Sequence, residues 1–278
     1  MNNAKEFIKA IMTDKIKSLL KWMQFRIQKT KTKFKEKKFR PYIKKKNVEG
    51  VVFDFWIGDS IGQEWYDLDC SDPEWPELRF IKNYLIKQGD VILECGAHHG
   101  CTTVVLANWV GYKGKVVAFE PVPKNADIIK KNIEINNIKN VLIERKAVGS
   151  REGRILITGE SNSSVTNYKV GGTKVDMTYL DKYSYLNPSI LKIDVEGFEV
   201  EVLKGAKNIL KTKPKLAIEI HTPVLKKYNS SIEDLFDLID IEMYTVWVQW
   251  QEYEDPGIYN FIDTISDRIH LFAIPNSF

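Results

Sequence analysis

The chain has 278 residues, of which 44% are hydrophobic and 28% are charged. This composition is typical of a globular protein with a substantial core, and it excludes a wholly disordered chain. The apolar runs fall far short of the roughly 18 residues that a membrane-spanning helix needs, and the N-terminal residues lack a secretory-signal pattern. The three cysteines show no metal-ligand spacing and fit a reducing compartment, so we expect a cytoplasmic protein.

Positive charge is concentrated in a basic arm, residues 1–47. The arm contains 16 Lys and Arg against 3 Asp and Glu, a net charge of +13, whereas residues 48–278 contain 25 against 34, a net charge of −9. Three- and four-residue spacing predicts one amphipathic helix, formed by Ile8, Met12, Leu19, Met23 and Ile27. The role of the arm stays open among a solvated face, a helix packed on its own domain, peripheral attachment to an anionic membrane surface, and nucleic-acid binding. Nucleic-acid binding is disfavoured because a run of charge contains no element that reads bases.

Alternating strands and helices follow the arm. Residues 48–88 are predicted to form a lead-in or lid segment, and residues 89–278 one α/β domain. The predicted strands are DVILECG, KVVAFEP, NVLIERKAVG, SILKIDVEG, KLAIEIH, YTVWVQW and RIHLFAIP. Helices are predicted for residues 101–110, 124–137 and 199–210. This alternation predicts a mostly parallel seven-stranded sheet that is covered by helices.

The first strand of this domain runs into a turn that carries two glycines and two histidines. Gly96 and Gly100 let the backbone approach a ligand, and the next helix begins with unpaired N–H groups. The turn lacks the full dinucleotide fingerprint, which disfavours a nicotinamide dehydrogenase. Glu120 ends the next strand, where a carboxylate can accept both hydroxyl hydrogens of a ribose. Together they predict a nucleoside site, with a structural turn and a solvated carboxylate as the alternatives.

Acidic residues and a histidine end two other strands. In SILKIDVEG, alternation places Lys192, Asp194 and Glu196 on one face, and in KLAIEIH it places Glu219 and His221 together. Because strands of a covered parallel sheet should be apolar, these polar residues are candidates for chemistry.

Each of these residues also has a structural interpretation. Asp194 could pair with Lys192, Glu196 could cap the next helix, and His221 could be a satisfied residue at a strand end.

Five motifs carry a resemblance to a known family. GDVILECGAHHG, GKVVAFEPVPKN, NVLIERKAVG, LKIDVEGFEVEVLKGA and IEIH occur in this order. With them, the chain resembles the FkbM-type family of S-adenosylmethionine-dependent methyltransferases over about residues 74–275. The resemblance implies a Rossmann-like methyltransferase fold with S-adenosylmethionine as cofactor. It also implies cofactor contacts from Glu94, Gly96, Ala97, His98, Gly100, Glu120 and Ala147. The family usually has D-V-G-A-N-I-G where this chain has ECGAHHG, so contacts near His98 are expected to differ.

The resemblance also implies the reaction. A methyl group on a sulfonium is already a strong electrophile, so the protein must align the nucleophile and exclude water. The expected acceptor is a hydroxyl of a small molecule, sugar or glycan, and its candidate catalytic residues are Asp194, Glu196 and His221.

Three alternatives remain open. A divalent metal is possible but not favoured, because sequence does not give ligand spacing across separate strands. A membrane-attached, non-enzymatic scaffold is the second. A nucleic-acid methyltransferase is the third, although DVEG stands where methyltransferases of base amino groups carry an acidic-Pro-Pro-aromatic tetrapeptide.

Overall fold

The computed structural model describes residues 36, 38–67, 75–158, 164–165, 172–251, 253–261 and 264–276. The helix expected in the basic arm lies outside these residues. The chain divides into two compact units, one of Met1–Tyr42 with Ile57–Leu68 and the other of Ile43–Trp56 with Asp69–Phe278. Across the described ranges, we find no helix that is both long and apolar enough to span a membrane.

In the first unit, a short helix is fixed at its N-terminus by a side-chain cap. Asp59 precedes the helix Ser60–Tyr66 and accepts the backbone N–H of Gly62 at 2.7 Å. The carboxylate of Glu36 accepts both the N–H and the hydroxyl of Ser60, at 3.2 and 3.1 Å. These bonds satisfy donors at the start of the helix that its own backbone leaves unpaired.

Strands are numbered in chain order, and helices are named by their residue ranges. The strands are β1 (Tyr42–Val48), β2 (Val51–Ile57), β3 (Val91–Cys95), β4 (Lys115–Phe119), β5 (Val141–Glu144), β6 (Ala147–Val148), β7 (Gly153–Thr158), β8 (Ser164–Val165), β9 (Thr173–Thr178), β10 (Ile190–Ile193), β11 (Lys215–His221), β12 (Tyr244–Gln249), β13 (Gly257–Ile258) and β14 (Arg268–Pro275). The α-helices are Ser60–Tyr66, Pro76–Phe80, Cys101–Val110, Pro123–Ile135, Glu199–Lys204, Lys207–Leu210, Thr222–Leu225 and Ile232–Ile239. Short 3₁₀ or π segments are Ile81–Leu85, Leu180–Leu186, Lys226–Tyr228 and Ile241–Met243.

The central sheet of the second unit has the order β13-β12-β14-β11-β10-β3-β4-β5. The five strands from β11 to β5 run parallel, and β14 is antiparallel to both of its neighbours. The predicted Rossmann-like α/β fold is therefore confirmed, with all seven predicted strands and the two-residue β13 added. The chain leaves β3 in one direction towards β4 and returns on the other side through β10. Ligands of such sheets bind beyond the carboxyl ends of the strands at this switch.

The core of the sheet consists of its apolar central strands. Ile92 and Leu93 of β3, Val116 and Val117 of β4, and Leu191 of β10 are all fully buried. Both faces of these strands are covered, which explains why their sequences are continuously apolar instead of alternating. The helix Cys101–Val110, which is apolar on most of its surface, is correspondingly buried along most of its length.

Three details differ from the sequence predictions. The segment NVLIERKAVG divides into β5 and β6, and β6 joins a separate four-stranded sheet of order β6-β9-β7-β8. The helix predicted for residues 199–210 divides into Glu199–Lys204, with Gly205 as its C-cap, and Lys207–Leu210. Gly205 packs so closely on the backbone that follows β6 that a Cβ there would lie 2.1 Å from the carbonyl oxygen of Gly149. Strand β10 ends at Ile193, although the N–H of Asp194 still donates to Cys95.

The hairpin of β1 and β2 is held to the helix Pro123–Ile135 and its C-cap by two asparagines. Asn132 accepts the N–H of Trp56 at 2.6 Å and donates to the carbonyl of His99 at 2.9 Å. Asn136 accepts the N–H of Asp54 at 3.0 Å and donates to its carbonyl at 2.7 Å. The side chains of Asn132 and Asn136 thus form the hydrogen bonds with the backbone of β2 that a third strand would otherwise form.

Candidate functional site

The glycine turn, Gly96–Gly100, follows β3 at the switch in strand order. Gly96 has φ +87°, and a Cβ there would lie 1.8 Å from the carbonyl oxygen of Asp194. Gly100 has φ +81° and precedes the helix Cys101–Val110, whose N-terminus has no side-chain cap among the described residues. The Gly96 side of the turn therefore packs backbone against backbone, and the uncapped N-terminus of the helix Cys101–Val110 is the part that can offer N–H groups to a ligand.

Glu120, just beyond β4, holds the glycine turn in place. It is 4% exposed, and its carboxylate accepts the backbone N–H groups of His98 and Val122, both at 2.8 Å, and the Asn125 amide at 3.3 Å. Burial raises the pKa of Glu120 to about 8, against the opposing effect of these three donors. The residue predicted to bind ribose is thus also a structural anchor of the turn.

The two histidines of the glycine turn stack on each other. Their rings are 4.2 Å apart and nearly parallel, at 6°. His98 adopts φ +50°, while His99 is fully buried with its Nε2 3.2 Å from the Asn125 side-chain oxygen. The buried ring of His99 therefore packs against the ring of His98 and holds it in place. A contact between His98 and the cofactor stays a prediction.

The other predicted cofactor residues lie around this turn at different depths. Glu94 is fully buried and accepts the hydroxyl of Thr103 at 2.6 Å, and burial raises its pKa. Ala97 is buried beside the helix Pro123–Ile135, and Ala147 packs against Val122. The structure brings five of the predicted cofactor residues together at the turn: Gly96, Ala97, His98, Gly100 and Glu120. Glu94 lies within β3, before the turn, and Ala147 lies in β6, in contact with Val122. Their contacts with a cofactor remain predictions.

A second group, the acid–histidine cluster, lies where β10 and β11 end and consists of Asp194, Glu196, Glu199, Glu219 and His221. His221 is 7% exposed, and its Nδ1 lies 2.8 Å from Oε1 of the fully buried Glu199. Its Nε2 is 3.5 Å from a carboxylate oxygen of Glu196 and 3.5 Å from one of Glu219. The cluster therefore brings Asp194, Glu196 and His221 together with Glu219 and adds Glu199. The catalytic role of the first three stays a prediction.

Burial and mutual repulsion perturb the acids and the histidine. Burial, followed by the neighbouring Glu219, raises the pKa of Asp194 to about 7, although Lys192 and His221 act in the opposite direction. Burial alone would lower the pKa of His221, but its hydrogen bond to Glu199 and the surrounding carboxylates raise it to about 9. Such shifts are frequent at functional sites, although structural ion pairs also produce them.

Two cations border the cluster. Lys192 Nζ lies 3.9 Å from Oδ2 of Asp194, so the ion pair considered as an alternative is present but long. Arg268 donates to Oε1 of Glu219 at 3.1 Å. Sequence reasoning missed Arg268, because only the antiparallel pairing of β11 with β14 places it opposite His221. Lys192 therefore pairs with one oxygen of Asp194, and Arg268 pairs with one oxygen of Glu219.

The backbone between β10 and the next helix corrects two sequence expectations. Glu196 lies in a left-handed turn with φ +55°, not on a strand face, because β10 has already ended. It does not cap the helix Glu199–Lys204, which has no side-chain cap. Instead, Glu199 accepts the N–H of Gly197 at 2.8 Å and holds His221. Glu199 was missed because an acid in the first turn of a helix is common and carries no signal of its own.

With this geometry in place, comparison with known proteins gives a family. A family model described as the methyltransferase FkbM domain matches residues 94–248, more than half of the chain. The chain belongs to the FkbM methyltransferase family. The part matched by the FkbM model begins at Glu94 and ends within β12, so it includes the glycine turn and the acid–histidine cluster.

Individual relatives of this FkbM protein are more distant. Hexuronic acid methyltransferase AglP of Haloferax volcanii is 28% identical over 146 residues, which is 50% of this chain and 59% of the relative. A methyltransferase FkbM structure from Methylobacillus flagellatus is 19% identical with a TM-score of 0.47, covering 69% of this chain and 45% of that one. An S-adenosylmethionine-dependent O-methyltransferase structure from Thermotoga maritima is 15% identical with a TM-score of 0.44, covering 84% and 78%. The chain spans well under two thirds of AglP and of the M. flagellatus protein.

The close contact at Gly96 predicts an unequal effect of two alanine substitutions. Gly96 and Gly89 have similar positive φ angles, +87° and +91°, but a Cβ at Gly89 would meet nothing within 4 Å. Gly89→Ala should cost only the left-handed strain of about 1 to 2 kcal/mol. Gly96→Ala should cost more, because the added methyl group must displace the backbone at Asp194. Denaturant unfolding of both variants measures the difference, and equal losses would show that the contact is unimportant.

Proposed function

We propose that this protein transfers a methyl group from S-adenosylmethionine to a hydroxyl of a small molecule, most specifically a sugar or glycan. The observation that carries the proposal is the contact between the backbone of Gly96 and that of Asp194. It joins a turn suited to the methyl donor directly to a cluster suited to a hydroxyl acceptor. Family membership supports methyl transfer, and the relative named a hexuronic acid methyltransferase supports a sugar acceptor.

The residues of the glycine turn fit this cofactor chemically. The uncapped start of the helix Cys101–Val110 offers N–H donors, and Glu120 offers a carboxylate for ribose hydroxyls. Beneath them, Oε1 of Glu94 is buried and has no hydrogen-bond partner within the described ranges. An ammonium group, such as that of the methionine end, would satisfy this acceptor.

The chain's own contribution is positioning and proton removal. The cofactor supplies an electrophilic methyl group, which needs an aligned nucleophile and little further activation. We assign Asp194, Glu196 and His221 to hold the acceptor hydroxyl and accept its proton. The partial exposure of Asp194 and Glu196, 30% and 31% of their side chains, leaves them accessible to an acceptor.

Replacement of Glu120 should weaken cofactor binding. Glu120→Ala removes an acceptor for ribose hydroxyls, which is worth roughly 1.5 to 3 kcal/mol when the acceptor is charged. Because burial raises the pKa of Glu120 to about 8, binding is compared at a pH above that value, where the carboxylate is ionised. Calorimetry with S-adenosylmethionine should therefore show roughly a 10- to 100-fold loss of affinity.

The exposed Glu134→Ala serves as the matched control and should bind normally. Because Glu120 also holds the turn, thermal unfolding of each variant sets a temperature at which both are folded. Equal affinity of the Glu120 variant and the parent protein would refute its assignment to the ribose.

Replacement of the cluster residues should abolish turnover and spare the cofactor. Purified protein with isotope-labelled S-adenosylmethionine should label glycans that carry uronic acids or neutral sugars, with mass spectrometry identifying the methylated hydroxyl. Asp194→Asn and His221→Ala should reduce this turnover by about 100- to 10,000-fold, the usual contribution of a positioned acid or base. Their cofactor affinity should stay within a few-fold of the parent.

Asp237→Asn, an exposed acid on the helix Ile232–Ile239, is the matched control and should turn over normally. Normal turnover in both cluster variants would remove them from the mechanism. Cofactor binding without methyl transfer to any glycan would favour a non-enzymatic scaffold. Labelling of nucleic acid alone would favour a nucleic-acid methyltransferase.

We also propose that the basic arm attaches the protein to anionic membrane surfaces. Its charge of +13 over residues 1–47 supports this, since polybasic segments are attracted to anionic lipids. A truncation of residues 1–35 keeps β1 intact and should no longer sediment with phosphatidylserine vesicles, whereas the full chain should. Neutral phosphatidylcholine vesicles are the control. Full sedimentation of the truncated chain would contradict attachment through the arm.

A further inference from the structure

We infer that Asp194, Glu219 and His221 form a binding site for one divalent transition-metal cation of the Mn²⁺ type. This inference rests on the proposed function, which it deepens by assigning the cation to the acceptor hydroxyl. The separation of these residues in sequence, 27 positions from Asp194 to His221, is bridged by the parallel pairing of β10 with β11.

The three side chains offer a ligand set of suitable dimensions. One carboxylate oxygen each from Asp194 and Glu219 and one ring nitrogen of His221 all lie within 4.8 Å of one another. Ligands on opposite sides of an ion that binds at 2.0 to 2.2 Å are roughly 4.2 Å apart. Small side-chain movements therefore bring all three donors into contact with one ion.

The orientation of His221 is the second feature that favours a metal. Its Nδ1 faces Glu199, which is fully buried and can only serve as an acceptor when ionised. A proton on Nδ1 leaves the lone pair of Nε2 directed to the side of Glu219 and Glu196. Metal-binding histidines are typically fixed in this way, by a carboxylate on the nitrogen away from the ion.

Charge balance also favours a divalent ion. The acid–histidine cluster contains four carboxylates, Asp194, Glu196, Glu199 and Glu219. In the part of the chain that the structure describes, two permanent cations, Lys192 and Arg268, pair with them. Once His221 is neutral, as a metal ligand must be, four negative charges face two permanent positive charges, and one divalent cation balances the remaining two. Binding of the ion releases any proton held on Nε2 of His221.

The donor atoms select the class of ion. Ca²⁺ and Mg²⁺ prefer sites built from oxygen, whereas imidazole suits transition metals. Two carboxylates and one imidazole, with the remaining positions open to the partly exposed side of the site, fit a cation such as Mn²⁺ and leave room for an acceptor oxygen.

The site gives Glu196 a distinct role in the reaction. A cation beside the acceptor hydroxyl lowers the pKa of that hydroxyl. Glu196, whose carboxylate faces Nε2 of His221 at 3.5 Å, then accepts the proton. The freed electron pair of the oxygen forms the bond to the methyl carbon as the bond from that carbon to sulfur breaks, giving a methyl ether and a neutral thioether.

The test is a titration of the chelator-treated full-length protein with Mn²⁺, in which loss of the electron paramagnetic resonance signal of the free ion measures binding. We expect one ion per chain and at least tenfold weaker binding by Asp194→Asn and by Glu219→Gln. Glu199→Gln, which alters the partner of His221 and removes no proposed ligand, should weaken binding by about 10- to 100-fold. Asp237→Asn and Glu242→Gln are matched controls at exposed acids outside the cluster and should bind as the parent does. Circular dichroism melts confirm that the compared variants are folded.

The outcomes separate this inference from the proposed function. Failure to bind Mn²⁺ up to about 1 mM, the weak end of physiological metal sites, would overturn the site, as would equal binding by parent and cluster variants. Full-rate methyl transfer by the chelated protein would overturn the role of the cation and leave the proposed function in place. One Mn²⁺ bound through these residues, without methyl transfer to any acceptor, would refute the proposed function and leave the site.

Discussion

The fold depends on one close backbone contact, where the turn after β3 meets the residue after β10. No side chain fits at Gly96, because its Cβ position is occupied by the carbonyl oxygen of Asp194. The two strand ends are therefore fixed relative to each other by main-chain atoms, which move less than side chains do. This contact sets the separation between the glycine turn and the acid–histidine cluster, and alignment of two reactants depends on such a fixed separation.

Buried carboxylates on either side of this contact are used as structural supports. Glu120 holds the glycine turn through backbone N–H groups, and Glu199 holds both Gly197 and His221. A buried carboxylate is costly unless it is paired, so each of these residues requires its partners to stay in place. The site is consequently held in place by carboxylates that are almost fully buried.

Much of the fold could be predicted from sequence, because each central strand is a short apolar run with a polar residue at its end. The site residues at the ends of β3, β4, β10 and β11 could be predicted for the same reason. The small sheet was missed since β6 and β8 have only two residues each and β7 and β9 carry several exposed residues. The hairpin was missed since lysines interrupt β1. Glu199 and Arg268 could not be found, because their importance arises only from the pairing of distant segments.

The asparagines that hold the hairpin have a consequence for self-association. An unpaired strand edge is a template for another chain, and natural proteins protect such edges with charge or with a covering element. On β2, Asn132 and Asn136 occupy the backbone groups of Asp54 and Trp56 that a foreign strand would need. On β1, Lys44 and Lys45 place positive charges along the hairpin, whereas Lys46 is buried. Two amide side chains and two lysines thereby protect a two-stranded ribbon against recruitment into intermolecular sheets.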